Sequence, residues 1–156
     1  MEKDAPKGSR ICFVCTGNTC RSPMAEVVAN HLAKEKKIDL VAHSAGLYAV
    51  LGDPIAENAV SVLEEAGILP APTEDYHHHT ARHLGELEAS EYDRLIGMTP
   101  THVLELTMRY PALASRISCM PQAISDPFGG DLACYRECLA QIIAGVKVLL
   151  SLEDGE

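Results

Sequence analysis

Short apolar runs alternate along the chain with longer segments in which apolar residues recur every three or four positions. Runs that are apolar throughout are typical of strands buried on both faces, whereas the longer period is that of a helix. The short runs predict four strands, at 10–14, 40–44, 92–98 and 116–120. The helical spacing predicts five helices, at about 23–36, 55–66, 84–90, 99–109 and 131–150.

Several of the predicted helices begin or end at residues that favour helix termini. Ser22 and Asp131 carry short polar side chains of the kind that cap a first turn. Thr99-Pro100 combines such a cap with a favoured first helical residue, and Gly67 stands where a glycine commonly ends a helix. These residues predict that the first helix begins at Pro23, with Ser22 as its N-cap.

Strands that alternate with helices predict an α/β fold. We expect a four-stranded parallel sheet, doubly wound, with helices on both faces and right-handed crossovers. The length of 156 residues fits a single domain, which we place at 10–156, behind a flexible polar arm at 1–9. Such sheets bind ligands at the carboxyl ends of their strands, so the loop after the first strand is the expected binding site.

The charge balance is acidic, with 13 Lys and Arg residues against 22 Asp and Glu residues and a net charge of −9. Nucleic-acid binding requires a basic surface, which this composition opposes. No apolar run approaches the ~20 residues of a membrane span, and Met1–Arg10 lacks the apolar segment of a secretion signal. We therefore expect a cytoplasmic protein that binds neither nucleic acid nor membrane.

The stretch Cys15–Ser22 combines a thiol, a glycine-containing loop, an arginine and the start of a helix. The backbone N–H groups of such a loop, together with the helix dipole, form a cradle for phosphate or another oxyanion. The same positive potential stabilises a thiolate at Cys15, and Arg21 grips two phosphate oxygens. Gly17 allows a tight turn, and Asn18 tolerates a left-handed backbone. The pattern predicts phosphoryl chemistry through a cysteine.

Two motifs together resemble those of the low-molecular-weight protein phosphatase family. The first is Cys-Thr-Gly-Asn-Thr-Cys-Arg-Ser-Pro-Met-Ala at 15–25, which contains a Cys-x5-Arg signature. The second is Asp-Pro-Phe-Gly-Gly at 126–130. Ser44-Ala45-Gly46 and His79-Thr80-Ala81-Arg82 are smaller similarities. The resemblance extends from about Arg10 to Leu152, nearly the whole chain.

The resemblance implies a protein phosphatase that works on phosphorylated proteins through a cysteinyl-phosphate intermediate. Cys15 is then the nucleophile, Arg21 the phosphate clamp, and Asp126 first the general acid and then the general base. No metal or other cofactor is implied, because the loop and its arginine stabilise the charge. Ser44 and His79 match positions that support the loop through hydrogen bonds. The substrate-binding residues are Thr16, Gly17, Asn18, Thr19, Cys20 and Ser22.

Cys20 lies in the same loop as Cys15. The resemblance implies that it is a redox partner, because a reversible Cys15–Cys20 disulfide protects the thiolate from irreversible oxidation. Cys12 completes a Cys-x-x-Cys with Cys15, but it lies inside the predicted first strand. We therefore interpret Cys12 as a core residue.

Thr19 bears on which phosphorylated side chain is hydrolysed. Tyrosine-directed members of the family commonly carry a bulky aliphatic residue here, whereas threonine resembles the branch that removes phosphate from protein arginine. A hydroxyl can order water or a guanidinium group, which an aliphatic wall disfavours. Phe128 is followed by two glycines, not by a second aromatic residue that could stack on a phenol ring. We predict phosphoarginine in proteins as the substrate, with phosphotyrosine as the alternative.

A function of another class also fits the loop. A non-catalytic phosphate-binding or redox-sensing module uses the same cradle without turnover. Asp126 argues against this alternative, because a protein that only binds phosphate does not need an acid. The three histidines His77-His78-His79 are interpreted as a solvated loop, since three adjacent side chains rarely converge on one metal ion.

Overall fold

A computed structural model describes residues 9–70 and 75–152 of the chain. Its four strands form one parallel sheet in the order β2-β1-β3-β4. The strands are β1 (Ser9–Cys15), β2 (Leu40–Gly46), β3 (Arg94–Gly97) and β4 (Ile117–Cys119). The predicted four-stranded parallel sheet is confirmed, although β2 runs two residues further than 40–44 and β3 is shorter than 92–98.

Among the described residues, five α-helices flank the sheet. They are α1 (Arg21–Glu35), α2 (Glu57–Glu65), α3 (Glu86–Ser90), α4 (Pro100–Arg109) and α5 (Leu132–Leu149). Two short 3-10 helices lie at Tyr76–His78 and Pro111–Arg116, the first of them in a segment predicted to be loop. Within the described ranges, no helix is both long enough and apolar enough to cross a membrane.

The sheet separates two apolar cores, because successive side chains of a strand point to opposite faces. Ile11 and Phe13 of β1 enter the larger core with the apolar faces of α1, α2 and α5. Cys12 and Val14 enter the smaller core, which also contains residues of α3 and α4. Helices therefore cover both faces, as predicted, and Cys12 is a core residue.

Most of the predicted helix ends are confirmed. The Thr99 side chain accepts from the backbone N–H of His102, and Asp131 accepts from Cys134 at 3.0 Å. Gly67, with φ at 79°, follows Ala66, the C-cap residue of the second helix.

The prediction that Ser22 caps the first helix is wrong. Helix α1 begins one residue earlier, at Arg21, with Cys20 as its N-cap and no capping bond from a side chain. The Cys20 carbonyl already accepts from Met24 N at 3.2 Å, so Ser22 lies inside the first turn. Its hydroxyl is directed to the sulfur of Cys15 instead.

The chain order of the strands creates a crevice beside the end of β1. From β1 the chain moves to β2 on one side, and later to β3 and β4 on the other. Such a switch point is where open α/β sheets bind ligands. Gly97 ends β3 where a Cβ atom would lie 2.9 Å from Val103 Cγ2, so glycine permits the start of α4 to pack closely on the sheet.

The predicted arm at 1–9 lies outside the described residues except for Ser9, which begins β1. Positions 71–74 also lie outside them. The flexibility of the arm stays a prediction.

Candidate active site

Cys15 is the last residue of β1, and its thiol is buried, with 3% of the residue exposed. Its Sγ lies 2.9 Å from Ser22 Oγ and accepts from the backbone N–H of Asn18 at 3.3 Å. Asn18 Nδ2 donates to the same Ser22 oxygen at 2.9 Å, and the Ser22 hydroxyl also donates to the Ala45 carbonyl oxygen at 3.4 Å. The sulfur therefore lies within hydrogen-bond distance of the Asn18 backbone N–H and of the Ser22 hydroxyl.

Asn18 holds the loop in shape. It is fully buried, and its φ of 59° is the left-handed backbone that the sequence analysis expected this residue to tolerate, whereas Gly17 has no positive φ. Besides Ser22, its Nδ2 donates to Ser44 Oγ at 3.0 Å, and its Oδ1 accepts from Arg82 N at 3.0 Å. The amide thus ties the loop to β2 and to the segment before α3.

His79 contacts the loop on the side of the Asn18 backbone. Its Nε2 lies 2.9 Å from the Asn18 carbonyl oxygen. A carbonyl only accepts, so this nitrogen carries the hydrogen. Burial lowers the pKa of His79, which keeps the ring neutral at pH 7.

Ser44 and Gly46 bring the end of β2 against the same loop. Ser44 Oγ accepts from Asn18 and donates to Glu26 Oε1 at 2.5 Å, which extends the hydrogen-bond chain to α1. A Cβ atom at Gly46 would lie 2.7 Å from the Thr16 carbonyl oxygen. Only glycine permits this approach, which gives a physical reason for the Ser44-Ala45-Gly46 motif.

Arg21 is the first residue of α1, and only 7% of it is exposed. Its Nη1 donates to the Ile124 carbonyl oxygen at 3.2 Å, and its Nη2 lies 3.5 Å from Asp126 Oδ2. The guanidinium is therefore anchored on one side, and its other side faces the 126–130 loop. Arg21 and Asp126 are distant in sequence but close in space, because the loop after β4 leaves the sheet at the same edge as the loop after β1.

A pocket of about 280 Å³ opens above the loop. The loop residues 15–21 form one part of its lining, and two carboxylate residues and three apolar or aromatic residues form the other part. The lining is Cys15, Thr16, Gly17, Asn18, Thr19, Cys20, Arg21, Tyr48, Val50, Asp53, Asp126 and Phe128. The structure thus brings Cys15, Arg21 and Asp126, predicted from two distant motifs, to one pocket.

A larger cavity of about 670 Å³ lies beside α1 and the Tyr76–His78 turn. Its lining contains neither a cysteine nor an arginine. Cys15 and Arg21, the candidate nucleophile and the candidate phosphate clamp, line the smaller pocket, where we place the candidate active site.

Thr19 and Cys20 occupy the far side of the loop. Thr19 Oγ1 lies 3.6 Å from Cys20 Sγ, and that sulfur lies 3.2 Å from the Tyr135 hydroxyl of α5. Burial raises the pKa of the Cys20 thiol, so Cys20 stays protonated at neutral pH. The contact with Tyr135 was not anticipated from the sequence, because only the packing of α5 on α1 creates it.

His102 was also missed. It is buried in the first turn of α4, with Nδ1 3.1 Å from Thr99 Oγ1 and Nε2 3.0 Å from Thr16 Oγ1. Burial, and then the charge of Arg21, lower the pKa of His102 to about 4. The ring is neutral at pH 7, and it connects α4 to Thr16 of the candidate phosphate-binding loop. The one signal for His102 in the sequence was its position just after the third predicted strand, because that strand also ends beside the candidate active site.

The consecutive histidines at 77–79 have different partners. His77 lies 2.6 Å from Asp75 Oδ1 and 2.8 Å from Glu64 Oε2, whereas His79 is directed to Asn18. Within 9–70 and 75–152, no three His, Cys, Asp or Glu side chains are grouped so that they could hold a metal ion.

Comparison with known proteins identifies the family. A family model described as "Low molecular weight phosphotyrosine protein phosphatase" matches residues 10–154. The low molecular weight protein-tyrosine-phosphatase PtpB of Staphylococcus haemolyticus is 34% identical over 140 residues, or 86% of this chain and 92% of the relative. The protein-arginine-phosphatase of Geobacillus stearothermophilus is 33% identical over 134 residues, or 81% and 84%.

A solved structure agrees in fold. It is the YwlE arginine phosphatase in the form of a cysteine-to-serine mutant with a phosphorylated active-site serine. It superposes with a TM-score of 0.82 at 25% identity and covers 91% of this chain and 93% of its own. The family match spans nearly the whole chain, which confirms the predicted family, fold class and enzymatic nature. The chain belongs to the low molecular weight phosphotyrosine protein phosphatase family and is a cysteine-based protein phosphatase.

Proposed function

We propose that the protein hydrolyses phosphoarginine in proteins, with Cys15 as nucleophile, Arg21 as phosphate clamp and Asp126 as general acid and base. The observation that carries the proposal is the meeting of these three side chains at one pocket of about 280 Å³. The phosphorylated serine of the YwlE mutant, which stands in for a cysteine, supports a phosphorylated nucleophile in the family.

In the first step the Cys15 thiolate attacks phosphorus. The S–P bond forms, the P–N bond to the guanidine breaks, and Asp126 transfers a proton to the departing nitrogen. Arg21 and the backbone N–H groups of the loop hold the phosphoryl oxygens as charge develops on them. Arg21 Nη2 lies 3.5 Å from Asp126 Oδ2, which supports Asp126 as the acid for a phosphoryl group held by Arg21.

In the second step water attacks the cysteinyl-phosphate. Asp126, now a carboxylate, accepts a proton from that water, and the S–P bond breaks with the electron pair returning to sulfur. Ser22, at 2.9 Å from Sγ, donates a hydrogen bond to the departing thiolate. Phosphate and free thiolate result, so the cycle needs no other group.

The choice of phosphoarginine rests on the side chains around the leaving group. Thr19 lines the pocket with a hydroxyl, which suits a polar guanidinium better than an aliphatic wall does. Phe128 is the one aromatic residue of the 126–130 loop. A relative of similar identity is named a protein-arginine-phosphatase, which agrees with this choice.

Phosphotyrosine is the second candidate. Tyr48 and Phe128 both line the pocket and are exposed, so they are available to stack on a phenol ring. PtpB, the relative named a protein-tyrosine-phosphatase, is 34% identical to this chain. The two exposed aromatic rings favour a ring-bearing substrate at the same site, and the roles proposed for Cys15, Arg21 and Asp126 stay the same.

The test is a comparison of kcat/KM for two peptides of one sequence that carry phosphoarginine or phosphotyrosine. We expect phosphoarginine to be the better substrate. Cys15→Ser should abolish turnover of both peptides, while a chelator should leave the wild-type rates unchanged. A clear preference for phosphotyrosine would overturn the substrate assignment, and full turnover by Cys15→Ser would overturn the mechanism.

We also propose Cys20 as the redox partner of Cys15, since both residues line the pocket. Peroxide oxidises the Cys15 thiolate to a sulfenic acid, and the Cys20 thiol then displaces water to form the disulfide. After brief peroxide treatment, dithiothreitol should restore the wild-type activity but not that of Cys20→Ser. Equal recovery of both proteins would contradict this role.

A further inference from the structure

We propose that Asp53 is a specificity-determining residue, whose carboxylate pairs with the positively charged guanidinium of a bound phosphoarginine. The inference rests on the proposed function and deepens it. Its basis is a second carboxylate at the active-site pocket, outside both of the motifs that define the family.

The two carboxylates of the pocket have different surroundings. Asp126 is engaged: its Oδ2 lies 3.5 Å from Arg21 Nη2, and its Oδ1 accepts from the backbone N–H of Phe128 at 3.1 Å. The Asp53 side chain has neither a hydrogen bond nor an ion pair within the part of the chain that the structure describes. Asp53 is thus an exposed charge at the pocket, available to a ligand.

The backbone around Asp53 is held in place on both sides. Gly52 N donates to the Ala81 carbonyl oxygen at 3.1 Å, and Ala81 N donates to the Asp53 carbonyl oxygen at 2.7 Å. Three residues later, Ala56 N donates to the Thr19 carbonyl oxygen at 2.9 Å, which ties this segment to the phosphate-binding loop itself.

The side chain is therefore presented to the pocket from a fixed segment. Pro54 follows Asp53 directly, as Pro127 follows Asp126, and a residue before proline is restricted to extended geometry. An aspartate has few rotatable bonds, so little side-chain entropy is lost when it pairs with a ligand.

The chemistry of the leaving group explains why a second carboxylate is useful. A phosphoarginine guanidinium is positively charged, whereas the ring of phosphotyrosine is neutral. Asp126 must be protonated to act as the acid, so it cannot supply the counter-charge in the same step. Asp53 supplies it. The carboxylate repels the phosphoryl group of both substrates, so its attraction to the guanidinium is what favours phosphoarginine over phosphotyrosine.

The experiment measures kcat/KM of the wild type and of Asp53→Asn for the matched phosphoarginine and phosphotyrosine peptides. We expect the ratio of the two values to fall about 2- to 5-fold in the variant, the upper part of the range of an ion pair at an exposed site. The ratio should fall because kcat/KM for the phosphoarginine peptide decreases. This decrease should be smaller at high salt, which screens the ion pair. Asp53→Glu, which keeps the charge, should recover part of the ratio.

Asp39→Asn is the matched control. It changes the net charge by the same amount at an exposed aspartate before β2, at the end of that strand remote from the phosphate-binding loop. This control should keep the wild-type ratio, so an equal shift in both variants would assign the effect to net charge and overturn the inference.

The outcomes separate the two proposals. A wild type that prefers phosphotyrosine refutes the proposed function, and the role of Asp53 falls with it. A wild type that prefers phosphoarginine, combined with an Asp53→Asn variant of unchanged ratio, leaves the proposed function standing and refutes the role of Asp53. Equal losses on both peptides also refute it, because a structural role does not distinguish the leaving groups.

Discussion

Replacing His102 by glutamine should make the free energy of unfolding less dependent on pH. In the folded protein, burial and the charge of Arg21 lower the pKa of His102 to about 4. In the unfolded chain the imidazole returns to a pKa of about 6.5. Between these values the unfolded state binds a proton that the folded state does not bind.

The sign follows from this difference. As the pH falls from 7 through 6.5 toward 4, protonation stabilises the unfolded state, so the free energy of unfolding decreases. Each unit of pKa difference corresponds to about 1.4 kcal/mol, so His102 alone should cost about 2 to 3 kcal/mol by pH 4.5. Burial also lowers the pKa of His79, which adds a loss of the same sign.

Urea denaturation of the wild type and of His102→Gln at pH 7 and pH 4.5 measures the effect. His79 is present in both proteins, so its contribution cancels when the two pH-dependent losses are subtracted. Glutamine retains a hydrogen-bonding group near Thr16 and cannot be protonated in this range. His78→Gln, at an exposed residue, is the control for removing an imidazole.

The wild type should lose about 2 to 3 kcal/mol more than His102→Gln over this interval. Losses that agree within about 0.5 kcal/mol, below the size of a typical single interaction, would show that His102 does not resist protonation in the folded state. The reasoning from its burial beside Arg21 would then be wrong.

Three further predictions concern the pocket. Asp126→Asn should slow a peptide with a poor leaving group far more than an activated aryl phosphate, and equal losses in kcat/KM would show that Asp126 is not the acid. Thr19→Ile should move the kcat/KM ratio from phosphoarginine toward phosphotyrosine, and an unchanged ratio would remove Thr19 from the substrate argument. Asn18→Ala should lower the free energy of unfolding by about 3 to 5 kcal/mol, since it deletes three buried hydrogen bonds and places alanine at a left-handed φ. Glycine adopts a left-handed φ without this steric cost, so Asn18→Gly should lower the free energy of unfolding by about 1 kcal/mol less than Asn18→Ala, as measured by urea denaturation.

The sequence determined the parts of this protein that depend on neighbours along the chain. Apolar runs and helical spacing predicted all four strands and the alternation that requires a parallel sheet. Thr99, Asp131 and Gly67 marked helix ends because a cap acts within one turn. The Cys-x5-Arg spacing predicted the loop for the same reason, since a strand, a loop and a helix start are consecutive.

Tertiary structure alone decided which distant groups serve that loop. His102 lies 86 positions from Thr16, and Tyr135 lies 115 positions from Cys20, so no local pattern could pair them. Only the folded backbone brings Asp53 to the pocket that Asp126 also lines. Ser22 had a local signal for a helix cap, but its hydroxyl is directed to the Cys15 sulfur. Local propensities set the elements, and the packing of the sheet set the partners.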